Sequence, residues 1–427
     1  MKKKVLIIVE NNPFPHDLRV RYEATALHAN GYEVTVLSPR GKGFERGHEI
    51  IAGIHVYRHP MPSWGDSALG HLLEYSSALF WQFVYAVWIY LCHHFHVIQG
   101  CNPPDDIFLV ALPFRLLGVS YIFDHHDVCP ELYLSIYDRK GILYRLQCWL
   151  ERLTFKSSDV VLSTNSSYRD IATGRGGMDP RDVFVVRNGP NLDRVRPAAP
   201  NTSLKRGKRY LVGYVGVMGV QEGLDFLVAV AAYIKNSGRH DIHFACVGKG
   251  SQLAALQELV HSQGLDDTLT FTGPVSDEEL MTILSTADIC VNPDTPCAMN
   301  NLSTMIKIME YMALGKPIVQ FDLKEGRVSA GEASLYVDKD KGVPGFAEKI
   351  EWLLDRPDER RRMGELGRQR VEHELKWEHS VRHLLAAYDR AFYKARRNVN
   401  CPCDFSSEKA IPSVPESTKQ KRGAFGG

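Results

Sequence analysis

Two doubly wound α/β domains, each a parallel sheet covered by helices, are the fold class this sequence predicts, and three observations predict it. The chain has 427 residues, more than one compact core usually fills. Short apolar runs of strand length alternate with helical stretches through both halves, the pattern that builds parallel sheets. The alternation breaks once, at Asn188-Gly189-Pro190, and restarts after a Pro- and basic-rich stretch ending near Lys208.

The first half opens with strand Val5–Val9, a polar loop to Leu18, helix Arg19–Asn30 closed by Gly31, and strand Tyr32–Leu37. An apolar helix follows, then strand Val97–Gly100, helix Asp105–Leu117, strand Ser120–Phe123, and short strands at Asp159–Ser163 and Val183–Val186. The second half repeats the scheme. Its strands are Tyr210–Val215, His243–Val247, Thr268–Phe271, Asp288–Asn292 and Pro317–Phe321, and its helices are Leu224–Asn236, Gln252–Gln263, Asp277–Ala287 and Thr304–Leu314. Trp377–Lys394 places Trp377, Val381, Leu384, Leu385, Tyr388 and Phe392 on one helical face, so it is a docking helix. The expected organisation is therefore an N-terminal domain over 1–190, a linker over 191–208, a second domain over 209–375, a docking helix over 376–395, and a disordered polar tail over 396–427. In open sheets of this kind ligands bind beyond the carboxyl ends of the strands. The site is expected in a cleft between the halves.

Composition narrows the class further. Hydrophobic residues make up 44% and charged residues 24%, with a net charge of +1, so nothing pushes the chain as a whole toward nucleic acid. Nine cysteines, an odd number with no CxxC pair, favour a reducing compartment and hence the cytoplasm. Val5–Val9 is too short for a signal peptide, and Glu10-Asn-Asn-Pro follows it instead of a cleavage site. The apolar stretch Ala78–Cys92 would make about 22 Å of helix, short of the roughly 30 Å hydrocarbon core. It reads as a core helix or one lying at a membrane surface, the inner face of the plasma membrane being the surface concerned.

The chemistry concentrates in Asn300-Asn-Leu-Ser-Thr-Met-Ile-Lys-Ile-Met-Glu-Tyr-Met-Ala-Leu-Gly-Lys-Pro-Ile-Val319. Ser303 or Thr304 suits an N-cap, and a helix start offers free N–H groups to a phosphate. Lys307 and Glu310 share a helical face three residues apart. One can neutralise a diphosphate while the other accepts bonds from sugar hydroxyls, or the two form a plain surface ion pair. His16, Asp17 and Arg19, in the loop after the first strand, are candidates for acceptor contacts, with a capped loop as the alternative. Tyr121-Ile-Phe-Asp-His-His-Asp127 brings a His/Asp cluster to the same cleft, where a metal site is the rival interpretation. Asp338-Lys-Asp340 and Cys92-His-His-Phe-His96 also carry metal-ligand types, but chance and a polar helix end explain them better.

KIMEYMALGKPIV, after a strand ending in Asn292-Pro293, resembles the donor-site helix of family-4 retaining glycosyltransferases. Val186-Arg-Asn-Gly189, Tyr214-Val-Gly216 to Gly223-Leu-Asp225, Phe244-Ala-Cys-Val-Gly248 and Phe271-Thr-Gly273 resemble further family segments in the right order. The resemblance covers roughly residues 4 to 392. Asn102–Asp105 (NPPD), His126–Leu132 (HD-x-x-PEL) and STM-x-K-x-x-EYMA resemble a subgroup acting in bacterial surface-polysaccharide assembly. Two positions depart from the family: Leu302 stands where a Glu usually contacts the transferred sugar, and the Gly loop Val217–Gly223 lacks the usual Arg and Lys.

The resemblance implies the GT-B fold, two facing Rossmann-like domains with the C-terminal helix packing back toward the first. It implies transfer of a sugar from a nucleoside-diphosphate-sugar to an acceptor hydroxyl with retention, no metal, and no cofactor besides the donor substrate. The acceptor it implies is a glycan or a polyprenyl-diphosphate-linked sugar. His126, with His125 as the fallback, takes the place of a family His near the donor sugar and counts with Lys307 as catalytic. Gly216, Gly219, Asn300, Ser303, Thr304, Lys307 and Glu310 are the expected donor-binding set. A nucleotide-sugar 2-epimerase and a non-catalytic GT-B partner subunit are the two other classes that share these features.

Overall fold

In the computed structural model, residues 2–61 and 68–398 are described. The first half runs β1 (Lys4–Ile8), α1 (Leu18–Ala29), β2 (Glu33–Pro39), β3 (His48–Ile51), β4 (Ile54–His59), α2 (Ala68–His93), β5 (Val97–Cys101), α3 (Phe108–Arg115), β6 (Ser120–His125), α4 (Cys129–Tyr137), α5 (Ile142–Ser157), β7 (Val160–Ser163), α6 (Ser166–Thr173) and β8 (Val183–Val185). Its eight strands lie in the order β3-β4-β2-β1-β5-β6-β7-β8, parallel throughout except for the β3–β4 hairpin. The strands read as near-continuous apolar runs because helices cover both faces of the sheet.

The second half runs β9 (Tyr210–Val215), α7 (Leu224–Asn236), β10 (Ile242–Val247), α8 (Leu253–Ser262), β11 (Leu269–Gly273), α9 (Asp277–Thr286), β12 (Ile289–Asn292), α10 (Ala298–Leu302), α11 (Ile306–Ala313), β13 (Ile318–Phe321), α12 (Lys324–Ala330), β14 (Ser334–Val337), α13 (Gly342–Leu354), α14 (Pro357–Arg370) and α15 (Trp377–Asn398). Its six parallel strands follow β11-β10-β9-β12-β13-β14, the doubly wound order that leaves a crevice where the winding reverses, here between β9 and β12. The first sheet reverses between β1 and β5.

The last helix returns to the first domain. Trp377, Leu384, Ala387, Tyr388 and Phe392 of α15 share a core with Val5, Ile7, Val20 and Leu27. The Tyr388 hydroxyl donates to buried Gln99 on β5, and Arg390 and Lys394 both pair with Asp182. Two Rossmann-like sheets tied by this helix make the GT-B architecture. Gly189 is where the chain needs a glycine, since a Cβ there would lie 2.1 Å from the Leu375 carbonyl oxygen as the linker passes the start of α15.

Three sequence expectations change. The stretch Ala78–Cys92 is part of a longer helix, the 26-residue α2, because its polar flank continues the helix N-terminally. Ala78, Gln82, Ala86 and Ile89 form its buried stripe, so it covers the first sheet. Among the described residues no helix is long and apolar enough to cross a membrane. The stretch 191–208 is not a free linker: Val195 is buried in the second domain's core and Arg194 pairs with Asp277 and Glu310. Of the expected disordered tail, 396–398 form the last turn of α15, and the remainder lies outside the described residues.

Candidate active site

At the reversal point of the second sheet, the chain leaving β9 forms the Gly loop and the chain leaving β12 forms Pro293-Asp294. The loop closes tightly: Gly223 sits at φ +65°, where a Cβ would approach the Pro293 carbonyl oxygen to 2.2 Å. Lys307, on the first turn of α11, reaches into this junction. Its Nζ lies 2.6 Å from Glu222 of the loop, 2.8 Å from Asp294 and 3.3 Å from the Tyr214 hydroxyl. Burial pushes the Lys307 ammonium down, but the two carboxylates outweigh it and hold it above the ordinary lysine range. Burial also raises the Asp294 carboxyl to about 6, against the pull of Lys307. Both oxygen and nitrogen of the buried Asn292 side chain, at the end of β12, have no protein partner. Lys307 thus lies at the second reversal point as the centre of an acid cage. A second charge helps at the same place: α11 begins at Met305 with no side-chain cap, so its first N–H groups and dipole are available to an anion.

Several expected donor contacts are redirected. Ser303 and Thr304 do not cap α11, which starts two residues later because Ser303 ends α10. Ser303 Oγ donates to the Met299 carbonyl and meets the Tyr168 hydroxyl at 3.1 Å. Thr304 Oγ1 accepts from Asn165 Nδ2 at 3.0 Å. Ser167 Oγ donates to Glu325 Oε1 at 2.6 Å. These bonds join α6 of the first domain to the α10–α12 region of the second, a clasp across the cleft. Asn300 is buried and donates to the carbonyls of Thr295 and Gln221, stitching the Asp294 loop to the Gly loop. The Gly216 N–H is taken by the Val247 carbonyl at 3.1 Å, so this amide is not available to a phosphate. Gly219 precedes the turn Val220–Glu222 and stays partly accessible. Glu310 does not face the same group as Lys307: Arg194 holds it at 3.0 Å, in a crevice that Ile306, Leu18 and Asn188 also line. The surface pair between Lys307 and Glu310 does not form, since each has a nearer partner.

Across the cleft, the expected acceptor loop separates into three roles. Asp17 caps α1 by accepting from the Val20 N–H. Arg19 is not an acceptor group: it is buried, with 2.6–3.0 Å bonds to Asp124 and further bonds to the Val186 carbonyl and Asn188. His16 is exposed and packs edge-on to Phe44. It alone of the three remains open to a ligand.

His125 and His126 differ as sharply. His125 is sealed among Phe123, Phe155 and Tyr168, and burial pushes its imidazole down to about 3, so it stays neutral. His126 is half-buried beyond the end of β6, its backbone N–H held by Asn102 at 2.8 Å, and its Nε2 has no partner. Ligand atoms of Cys101, Asp124 and His126 lie within 4.8 Å of one another. Both Asp124 oxygens already accept from Arg19, and burial pushes the Cys101 thiol far up. That donor set presents a guanidinium and a protonated thiol where a metal needs anions.

Sequence reasoning missed Glu222, Asp294, Asn165, Ser167 and Glu325, and also a carboxylate group at the first sheet's reversal point. There Glu10 follows β1, and Asp105 and Asp106 follow β5. Gln82 of α2 donates to Glu10 at 2.9 Å. Glu10 Oε1, Asp105 Oδ2 and Asp106 Oδ1 are buried without partners. Burial raises the three carboxyls to about 8, about 7 and about 6 respectively. The lone Gln in the apolar run of α2 was the one signal for this group.

A two-sheet cleft with a cation and an uncapped helix start at the second reversal point defines a GT-B enzyme acting on a nucleotide-linked substrate. The family described as "Glycosyl transferase 4-like domain" matches residues 17–189, and "Glycosyl transferases group 1" matches residues 209–356. The chain is 30% identical over 279 residues to an alpha-D-kanosaminyltransferase of Streptomyces kanamyceticus, covering 60% of this chain and 67% of that protein. It is 25% identical over 357 residues to a GDP-mannose-dependent alpha-mannosyltransferase of Corynebacterium glutamicum, covering 77% and 74%. In structure it is similar to the sucrose-phosphate synthase of Thermosynechococcus elongatus, with a TM-score of 0.76, 18% identity, and coverage of 92% of this chain and 100% of the other. The chain belongs to the family-4 GT-B glycosyltransferases. It is a glycosyltransferase that uses a nucleotide-sugar donor.

Proposed function

We propose that this protein is a retaining, metal-independent glycosyltransferase of bacterial surface-polysaccharide assembly (exopolysaccharide, capsule or O-antigen). Its acceptor is a glycan or a sugar carried on polyprenyl diphosphate, met at the cytoplasmic face of the membrane. The observation that carries this reading is Lys307, buried at the second reversal point beside the uncapped start of α11. When the donor diphosphate displaces Glu222 or Asp294 as the partner of Lys307, that ammonium and the uncapped helix start stabilise the departing diphosphate. The bond from the anomeric carbon to the diphosphate oxygen breaks, the acceptor oxygen bonds to the same carbon from the same face, and the acceptor proton passes to the departing diphosphate. Glu222 and Asp294 are tied to Lys307, and Glu310 to Arg194. These pairings leave none of the three as a ready nucleophile, which supports front-face attack. The kanosaminyl- and mannosyltransferase relatives are described as alpha-transferases, in keeping with retention from an alpha-linked donor. NPPD at Asn102–Asp105, HD-x-x-PEL at His126–Leu132 and the STM-x-K-x-x-EYMA helix support the polysaccharide context.

The test is incubation with UDP-, GDP- and ADP-sugars and a polyprenyl-diphosphate sugar, with the product's anomeric configuration read by NMR. An alpha-linked product from an alpha-linked donor is expected. An inverted product overturns the stereochemical reading. A C2 epimer of the donor without transfer points to the epimerase class, and no turnover of any donor points to a non-catalytic partner.

A further inference from the structure

We propose that the outer helical layer of the first domain, with α5 at its centre, is a docking face for an anionic lipid bilayer. The layer is α2, α3 and α5, which pack on the same face of the first sheet, with α3 touching both of the others. Once the inner stripes are buried, a water-exposed helix is expected to be polar on its outer side. Here it is not. Phe80, Trp88 and Leu91 of α2 are exposed; so is Leu116 just after α3, at 90%, and so are Ile142 and Trp149 of α5, at 84% and 56%. Exposed apolar side chains gathered on neighbouring helices mark an interaction surface. Among the described residues, the second domain's large exposed apolar side chains are scattered: Val217 and Val220 in the Gly loop, then Tyr233 and Val328 apart from them.

Charge says which partner covers this face. On α5, Glu151, Thr154 and Phe155 point inward, while Ile142, Arg145, Leu146, Trp149, Arg152 and Lys156 lie outward at helical spacing. Arg139 and Lys140, exposed, stand just before the helix. None of these five cations is in an ion pair among the described residues, and Asp138 is the exposed acid beside them. Apolar side chains interleaved with unpaired cations form the signature of a helix lying in an anionic headgroup layer. A protein partner would need matching acids at every one of these places, whereas an anionic bilayer supplies them without register.

The face also runs to the cleft. α4 starts at the end of β6, and Ser135 Oγ lies 3.9 Å from the Met299 sulfur on the donor side. Exposed Ile136 and Tyr137 follow, then Ile142 and Leu143. A lipid-carried acceptor would thus arrive beside the donor site without leaving the bilayer. This last point rests on the acceptor class proposed above, but the docking itself does not.

The experiment is vesicle flotation of the full chain, without donor or acceptor, on neutral phosphatidylcholine vesicles and on vesicles with phosphatidylglycerol, at low and high salt. Binding is expected to the anionic vesicles only, and to fall at least tenfold in high salt. Trp149→Glu with Leu143→Glu should abolish it. Arg145→Glu with Arg152→Glu keeps the apolar face and should also lower binding at least tenfold, with unchanged melting temperature. Equal binding to neutral and anionic vesicles, or no binding to either, overturns the proposal. So does a stable dimer in solution that Trp149→Glu dissolves, since a second copy would then cover the face. Vesicle binding without any transfer to lipid-linked acceptors would refute the acceptor class and leave the docking face standing.

Discussion

The two reversal points are built on the same doubly wound topology, yet their electrostatics differ. At the second, a buried cation is matched by two carboxylates and a hydroxyl within 3.3 Å. At the first, Glu10, Asp105 and Asp106 sit together with no cation among their partners, and burial raises all three, Glu10 furthest, to about 8, so that it keeps its proton at neutral pH. The difference teaches that the second point has its charges paired before any ligand arrives, whereas the first holds in Glu10 a neutral acid able to donate as well as accept hydrogen bonds. A neutral carboxyl suits a hydroxyl-bearing acceptor, because it binds without the desolvation cost of a bare carboxylate.

The largest effect is expected at Lys307. Lys307→Ala removes the charge proposed to meet the diphosphate and should lower transfer by at least about 100-fold. A cleft position alone would let folding survive. The observed cage predicts otherwise, since Glu222 and Asp294 would be left buried against each other, at a cost of about 3–5 kcal/mol. Thermal melts of Lys307→Ala and of Lys307→Met with Glu222→Gln separate the two effects. The double variant should regain most of the lost stability and none of the activity.

His126→Ala should reduce kcat/KM by about 10- to 100-fold, the scale of misplacing a substrate, whereas His125→Phe should retain near-normal turnover because that ring is a neutral plate in aromatic packing. Reversed results would move the catalytic histidine into the sealed position.

Glu10→Gln probes the first reversal point through pH. Below its ordinary value of 4.5, Glu10 is neutral in both folded and unfolded chains. Between there and about 8 only the unfolded chain ionises, so native stability drains away as pH rises. Gln keeps the neutral shape, so its melting temperature should match the wild type near pH 4.5 and exceed it above pH 8, by about 2–4 °C per kcal/mol recovered. A constant offset at all pH values would mean that Glu10 is ionised in the fold.

The smallest effect is expected from metal removal. Excess EDTA should leave initial rates of transfer unchanged, and restoration by manganese or zinc of a lost activity would reopen the Cys101–Asp124–His126 cluster.

How far the sequence could be read follows from what each feature depends on. The β9 strand and α7 are found at the residues their periodicity predicts, Tyr210–Val215 and Leu224–Asn236. The β3–β4 hairpin escaped because His48, Glu49 and His55 break its apolar alternation. Lys307 stood out in the sequence as a candidate phosphate-binding cation, but its cage did not, since Glu222 and Asp294 are brought to it by strand order, 85 and 13 residues away. Arg19 looked like a ligand contact for the same reason: its partner Asp124 is 105 residues off. Ser303 and Thr304 misled because a cap and a cross-domain clasp use the same residue types. The outer side of α5 was missed because its apolar residues resemble a core stripe until the opposite side is seen to pack on the sheet.

The second reversal point, through Lys307, is proposed to hold the donor diphosphate. Calorimetric titration of nucleoside diphosphates into the wild type and into the folded Lys307→Met/Glu222→Gln variant tests it most directly. At least one of UDP, GDP and ADP should bind the wild type, and its affinity should fall at least about tenfold in the variant, the weight of one charge-assisted contact. Equal affinity in both proteins would contradict the claim and place the diphosphate elsewhere in the cleft.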